Sequence, residues 1–165
     1  MRNLAGILLL LLSVPLQVSL TTLTGLHCDL SLVAIYFCGL YYGKAAGIGA
    51  GAGLGLFLDG LSLGPIGQRL ISRACAGYLA AAAGQRVHAR TLPFHFVALF
   101  VLGGLTLTGE WFLASLTGQA VPGGMRTLLT AVPELLLTAT VGVAAIAAGL
   151  RCGFAPDDLS YFPHR

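Results

Sequence analysis

Residues 43–60 read GKAAGIGAGAGLGLFLDG, and the fold depends on whether this run is a phosphate-binding loop or a helix with a smooth face. A Walker A loop requires G-x-x-x-x-G-K-[ST]. Here Gly43-Lys44 is followed by Ala45, and the position five before Gly43 is Cys38. A Rossmann-type G-x-G-x-x-A can be traced through Gly47, Gly49 and Ala52, yet no β-branched strand precedes it and the composition leaves no room for a βαβ unit. Spacing by four reads more simply. Gly43, Gly47, Gly51, Gly55 and Asp59 fall on one face of a helix, and Gly49 and Gly53 flatten the face beside it. In a bilayer apolar surface alone does not bring helices together, and such a small-xxx-small groove lets two backbones approach closely. Gly77 and Ala81, flanked by Ala76, Ala80 and Gly84, offer the complement in the next apolar segment. The run therefore predicts a packing face that ends in a carboxylate.

The rest of the chain has the composition of a membrane domain. Of its 165 residues 56% are hydrophobic and 9% charged, against about 25% charged in soluble domains. The nine basic residues are scattered singly and the net charge is only +3, so no patch is available to neutralise nucleic-acid phosphates. Cys28, Cys38, Cys75 and Cys152 form no C-x-x-C pair; they read as small packing residues, and no metal or cofactor is predicted. Arg2 followed by Leu4–Leu12 has the look of a signal peptide, but no A-x-A-like site follows. The segment reads as a retained first span, kinked at Pro15.

Candidate spans are Leu4–Gly25, Leu30–Gly43, Ala45–Leu58, Gln68–Gly84, Phe94–Leu116 and Thr127–Leu150, separated by polar or Gly/Pro punctuation. The expected fold is all-α and integral to the membrane, with six transmembrane helices or alternatively five. Residues 1–151 would form one polytopic domain and 152–165 a short cytoplasmic tail. Loops on the side of Arg2 carry Lys44, Arg86, Arg90 and Arg151, a positive-inside bias that puts both termini in the cytoplasm. Trp111 suits an interfacial anchor at the other side. Only about 14 residues separate Asp29 from Lys44, and again Lys44 from Asp59. At 1.5 Å per residue each reaches about 21 Å, short of the hydrocarbon core of about 30 Å. GLSLGPIG, residues 60–67, would then carry non-helical backbone at membrane depth, which must be covered by protein or line a cavity.

Ionisable residues within a bilayer cost about 3 kcal/mol each unless paired or wet. Asp59, Glu110, Glu134, Arg69, Arg73 and Arg126 fall in the outer half, with Asp29 at the depth of Asp59. Internal pairing is one expectation, chiefly Asp59 with Arg69 or Arg73 across the short loop. An outward-facing polar cavity that receives a partner segment or a solute is the other. Gly60-Leu-Ser62-Leu-Gly64 fits the G-x-S-x-G nucleophile elbow, but that elbow needs a preceding strand and a histidine base in reach. Catalysis is not expected.

LFLDGLSLGPIGQRLISRACAGYL, residues 56–79, resembles the signature of the MreD family of bacterial rod shape-determining proteins: a Gly-rich span, Leu-Asp, a short loop with Leu-Gly, then a helix with Gly-Tyr-Leu. Asp29-Leu30 ahead of an apolar span with Tyr36 resembles the family's Pro-Asp start to that helix, although His27-Cys28 stand where proline is usual. The specific likeness covers about residues 27–80. It implies a six-helix fold like that of the substrate-binding components of energy-coupling-factor transporters, in the bacterial inner membrane. It also implies a non-catalytic scaffold role in the cell-elongation complex beside a bitopic MreC-type protein. Through MreC the chain would connect to MreB, the RodA glycosyltransferase and a class B penicillin-binding protein. A vitamin-transporter subunit of the same fold is the alternative.

Overall fold

A computed structural model describes residues 12–22, 25, 27–62, 66–86, 92–118 and 125–151, with side chains left aside at 85–86, 125–130 and 149–151. Among the described residues the secondary structure is all helical, in six helices. They are α1 (12–22), α2 (Leu30–Tyr42), α3 (Lys44–Leu61), α4 (Gln68–Arg86), α5 (Leu92–Leu116) and α6 (Met125–Arg151). The expected first span from Leu4 and the tail 152–165 lie largely or wholly outside the described residues.

Local chemistry sets the helix ends. Gly25 terminates α1 with φ +68° and an N–H donated to the Thr21 carbonyl at 2.9 Å, the αL cap that glycine adopts without a Cβ penalty. Asp29 caps α2, its Oδ1 accepting the Leu32 N–H at 3.0 Å. Gly43 turns α2 into α3 in one residue at φ +87°. The sequence reading placed Gly43 on the packing face, but a Cβ there would meet nothing within 4 Å. It is the hinge of the hairpin. Beside it Lys44 Nζ sits 5.6 Å from the centre of the Tyr78 ring of α4, a cation–π contact.

α2 is the central helix. Eight of its thirteen residues are buried, and it packs against α3, α4, α5 and α6. Leu32, Val33 and Tyr36 meet Ala76 and Ala80 of α4, Leu99 and Leu102 of α5, and Ala139 and Ile146 of α6 in the main core. Outward, the pattern inverts that of a soluble protein. On α3 Gly47, Gly51 and Gly55 are buried while Ile48, Leu56 and Phe57 are exposed; on α5 Val97, Val101, Leu105 and Phe112 face out. Large apolar side chains on the outside and small ones inside suit a lipid surround.

Two helices, Leu92–Leu116 and the Ala131–Ala148 part of α6, are long and apolar enough to cross a membrane. α2 is apolar but only 13 residues long, about 20 Å. α3 runs three residues past the predicted Leu58, to Leu61, which brings it to about 27 Å.

Candidate functional site, a charged cavity at the end of the glycine seam

The site is positioned by the contact between α3 and α4. A Cβ placed on Gly47 would lie 2.5 Å from the Gly77 carbonyl oxygen, and one on Gly55 would lie 2.5 Å from that of Arg69. Between them a Cβ on Gly51 would collide with the Arg73 carbonyl. Each step of four along α3 is thus matched by a step of four back along α4, so the two backbones touch in an antiparallel register. α2 joins the seam through Gly39, where a Cβ would meet the Gly77 oxygen at 2.7 Å and the Ala80 Cβ at 3.0 Å. Ala81 is buried at the same level. Gly39 went unread in the sequence, although it lies four residues before Gly43 and eight before Gly47. Gly49 and Gly53 meet nothing within 4 Å.

One more step along this register brings Asp59 to the start of α4. Its buried carboxylate accepts the Gly67 N–H at 2.8 Å and the Leu70 N–H at 3.2 Å on Oδ2, and the Arg69 N–H at 3.2 Å on Oδ1. These are the amides that a helix N-terminus leaves without intrahelical partners, and a carboxylate there also answers the helix dipole. The expected ion pair of Asp59 with Arg69 or Arg73 is therefore corrected: Asp59 serves as a helix cap. Arg69 instead donates Nη1 to the Leu58 carbonyl at 3.1 Å. Ser62 follows a helix, with its hydroxyl donated to the Asp59 carbonyl at 3.1 Å, so the strand that a nucleophile elbow needs is absent at this position. Gly64 lies outside the described residues.

Arg73 pairs with Asp29. Nη2 lies 2.7 Å from Oδ2 and Nη1 lies 3.1 Å from Oδ1, a two-point contact in which Nη1 also donates to the Ser31 hydroxyl. Asp29 accepts the Ser31 hydroxyl at 2.6 Å, and its own N–H donates to Thr138 Oγ1 at 3.0 Å. Asp29 thereby ties α2 to α4 through its carboxylate and to α6 through its backbone N–H, while capping α2. Arg73 is 6% exposed, and its Nε has no hydrogen-bond partner.

Around this pair opens a cavity of about 390 Å³. Its charged walls are Asp29 at the start of α2, Arg69 and Arg73 of α4, Glu110 of α5 and Glu134 of α6, so five of the seven charges singled out in the sequence converge on it, the side chain of Arg126 lying outside the described residues. Asp59 stands behind the wall. Thr106, Thr138 and Gln17 add neutral polar groups, and Leu58, Leu107 and Leu135 supply apolar surface. Glu110 accepts the Ser72 hydroxyl at 3.3 Å and offers its backbone carbonyl to Gln68. Tyr36 and Trp111 are not in the lining. Tyr36 donates or accepts a 2.7 Å hydrogen bond with His95 Nδ1 in the buried core, a polar pair that the sequence reading did not anticipate. Among the described residues no cluster of three His, Cys, Asp or Glu side chains could hold a metal ion.

A family model described as rod shape-determining protein MreD matches residues 2–147. No curated protein and no solved structure matches the chain. The family match covers the seam, the loop after Asp59 and all five charged walls of the cavity. This chain therefore belongs to the MreD family, the non-catalytic membrane components of the bacterial rod-shape and cell-elongation system.

Proposed function

We propose that the chain is an assembly subunit of the cell-elongation complex that docks an MreC-type bitopic protein at its charged cavity. In this reading all six helices cross the bacterial inner membrane, both termini are cytoplasmic, and the cavity opens outward, in an arrangement like the substrate-binding components of energy-coupling-factor transporters. Through that partner the subunit connects to MreB, RodA and a class B penicillin-binding protein, and so supports lateral peptidoglycan synthesis. The observation that carries the reading is the convergence of five charged side chains on one cavity. Charges at membrane depth are costly and are retained where they pair, face water or meet a partner. The glycine seam's role is to hold α4 rigidly, so that Arg73 keeps its place against Asp29 and Arg69 its place in the cavity wall.

The test is co-purification with the same cell's MreC-type protein from detergent. Leu107→Trp fills the cavity without changing its charge, and at equal membrane level it should lose the partner that wild type retains. Unchanged recovery in that variant would sink the cavity as the docking place. A vitamin-binding role has less support, because among the described residues the cavity walls carry no Trp, Tyr or Phe, whereas small-molecule pockets are lined largely by apolar and aromatic groups. Recovery of a bound small molecule in place of a partner would reverse that judgement.

A further inference from the structure

We propose that the cavity receives a basic side chain, the guanidinium of an arginine or the ammonium of a lysine from a partner's membrane-proximal segment, held between Glu110 and Glu134. The proposal rests on the docking reading above and adds its chemistry. Three carboxylates, two guanidiniums and the His27 imidazole line the cavity, which with the imidazole neutral leaves one formal negative charge in excess. Asp29 and Arg73 satisfy each other in their two-point pair. Arg69 is drawn toward the Leu58 carbonyl on the α3 side. The excess therefore resides on Glu110 and Glu134, which face the cavity from α5 and α6.

Glu110 feels the charges of Arg73 and Arg69 across the cavity, but neither glutamate makes a direct ion pair among the described residues. Among the described residues the one ion pair is Arg73 with Asp29, and Glu110 has only the Ser72 hydroxyl at 3.3 Å as a side-chain donor. Arg126 starts α6 eight residues before Glu134, about 12 Å away along the helix. The two glutamates lie about 9 and 14 Å from the ends of α5 and α6 that the 117–124 connection joins, so both sit at comparable depth. A desolvated carboxylate is costly, and a cation between two of them offsets that cost by charge-assisted hydrogen bonds.

Two further features narrow the guest. Among the described residues no three His, Cys, Asp or Glu side chains converge to hold a metal ion, whereas two carboxylates suit the several N–H donors of a guanidinium or an ammonium. Arg73 Nε, in a side chain more than nine-tenths buried in the cavity wall, has no partner. The α4 side thus keeps one N–H without an acceptor, closed off behind the cavity surface. At about 390 Å³ the space suits one long side chain with its backbone, at the low end of ligand-sized pockets of about 300–1,000 Å³.

The experiment uses the full chain co-expressed with its MreC-type partner and purified in detergent. Glu110→Gln and Glu134→Gln keep shape and remove charge. The double variant should recover about tenfold less partner while its own melting temperature stays at the wild-type value. Changing the arginines and lysines that flank the partner's membrane segment to glutamine should give the same loss, with no further loss when both sides are changed. Wild-type recovery by the double glutamine variant, or independent additive losses from the two sides, would overturn the proposal alone. If wild type recovers no partner, the docking reading falls and this proposal with it. Native mass spectrometry separates the sources: a small organic cation bound to wild type and absent from the double variant, with partner recovery unchanged, would overturn the peptide origin.

Discussion

The α3–α4 pair and the α5–α6 pair are both antiparallel neighbours, but they close by opposite means. Along α3 and α4, backbone meets backbone, and the atoms that a methyl would strike at Gly47, Gly51 and Gly55 are carbonyls and Cα atoms. Along α5 and α6, helices are longer and side chains fill the gap. A methyl on Gly103 would strike Leu135 Cδ2 at 2.6 Å, and one on Gly142 would strike the end of Leu99. A leucine tip can turn to another rotamer; a helix backbone cannot move alone. One region is therefore a rigid mount and the other an adjustable wall, and the charged cavity lies between them, with its arginines on the mount and its glutamates on the wall.

Gly51→Leu should break this contrast most sharply. The side chain would be driven into the Arg73 backbone, and separating the helices would also drag Arg73 from Asp29. Overpacking of a close-packed contact costs about 1–3 kcal/mol and sometimes more, and here relaxation is blocked by backbone on both sides. The variant should fail to give a monodisperse peak in detergent chromatography. A well-behaved Gly51→Leu protein would show that the mount is not rigid.

Arg73→Ala comes next. Removing one member of a buried pair leaves the other charge uncompensated, at about 3–5 kcal/mol, and Asp29 links three helices. Combining it with Asp29→Asn should recover part of the loss in thermal melts, since the strandable charge is then gone. Full additivity of the two substitutions would argue against the pair. Asp59→Ala should cost less, about 1–2 kcal/mol, the worth of a helix cap, and Asp59→Asn should keep much of it because an amide oxygen still accepts from the α4 amides. Equal damage from alanine and asparagine would instead require the negative charge itself.

These ranks also show what was legible in the sequence. The period of four at Gly47, Gly51 and Gly55, with Gly77 as complement, was readable because helix geometry alone decides which residues share a face. That Glu110 and Glu134 fall at one level, where they line one cavity, followed from counting residues. The partner of each arginine did not. Asp59 is nearer to Arg69 and Arg73 in the chain, yet its carboxylate is claimed by the free amides at the start of α4, and Arg73 reaches across 44 residues to Asp29. Which of two aspartates caps and which pairs is set by the register of three helices, and no local pattern encodes that. The Tyr36–His95 contact was hidden for the same reason: each residue is unremarkable in its own apolar helix.

The smallest effects have the opposite sign. Gly49 and Gly53 lie on the face of α3 beside the seam, with open space where a Cβ would go. Glycine inside a helix is worth about 0.5–1 kcal/mol less than alanine, so Gly49→Ala and Gly53→Ala should each stabilise the protein slightly, raising its melting temperature by a few degrees at most. Gly103→Ala should fall near zero, with helix propensity gained and a leucine rotamer displaced. The sign at Gly49 and Gly53 is the informative quantity. Stabilisation in purified protein together with weaker partner recovery would mean that a second helix packs on this face too, because a small-xxx-small surface serves any helix that reaches it. Stabilisation with recovery unchanged would confine the glycines' packing role to Gly47, Gly51 and Gly55, and leave the charged cavity as the surface that distinguishes a partner.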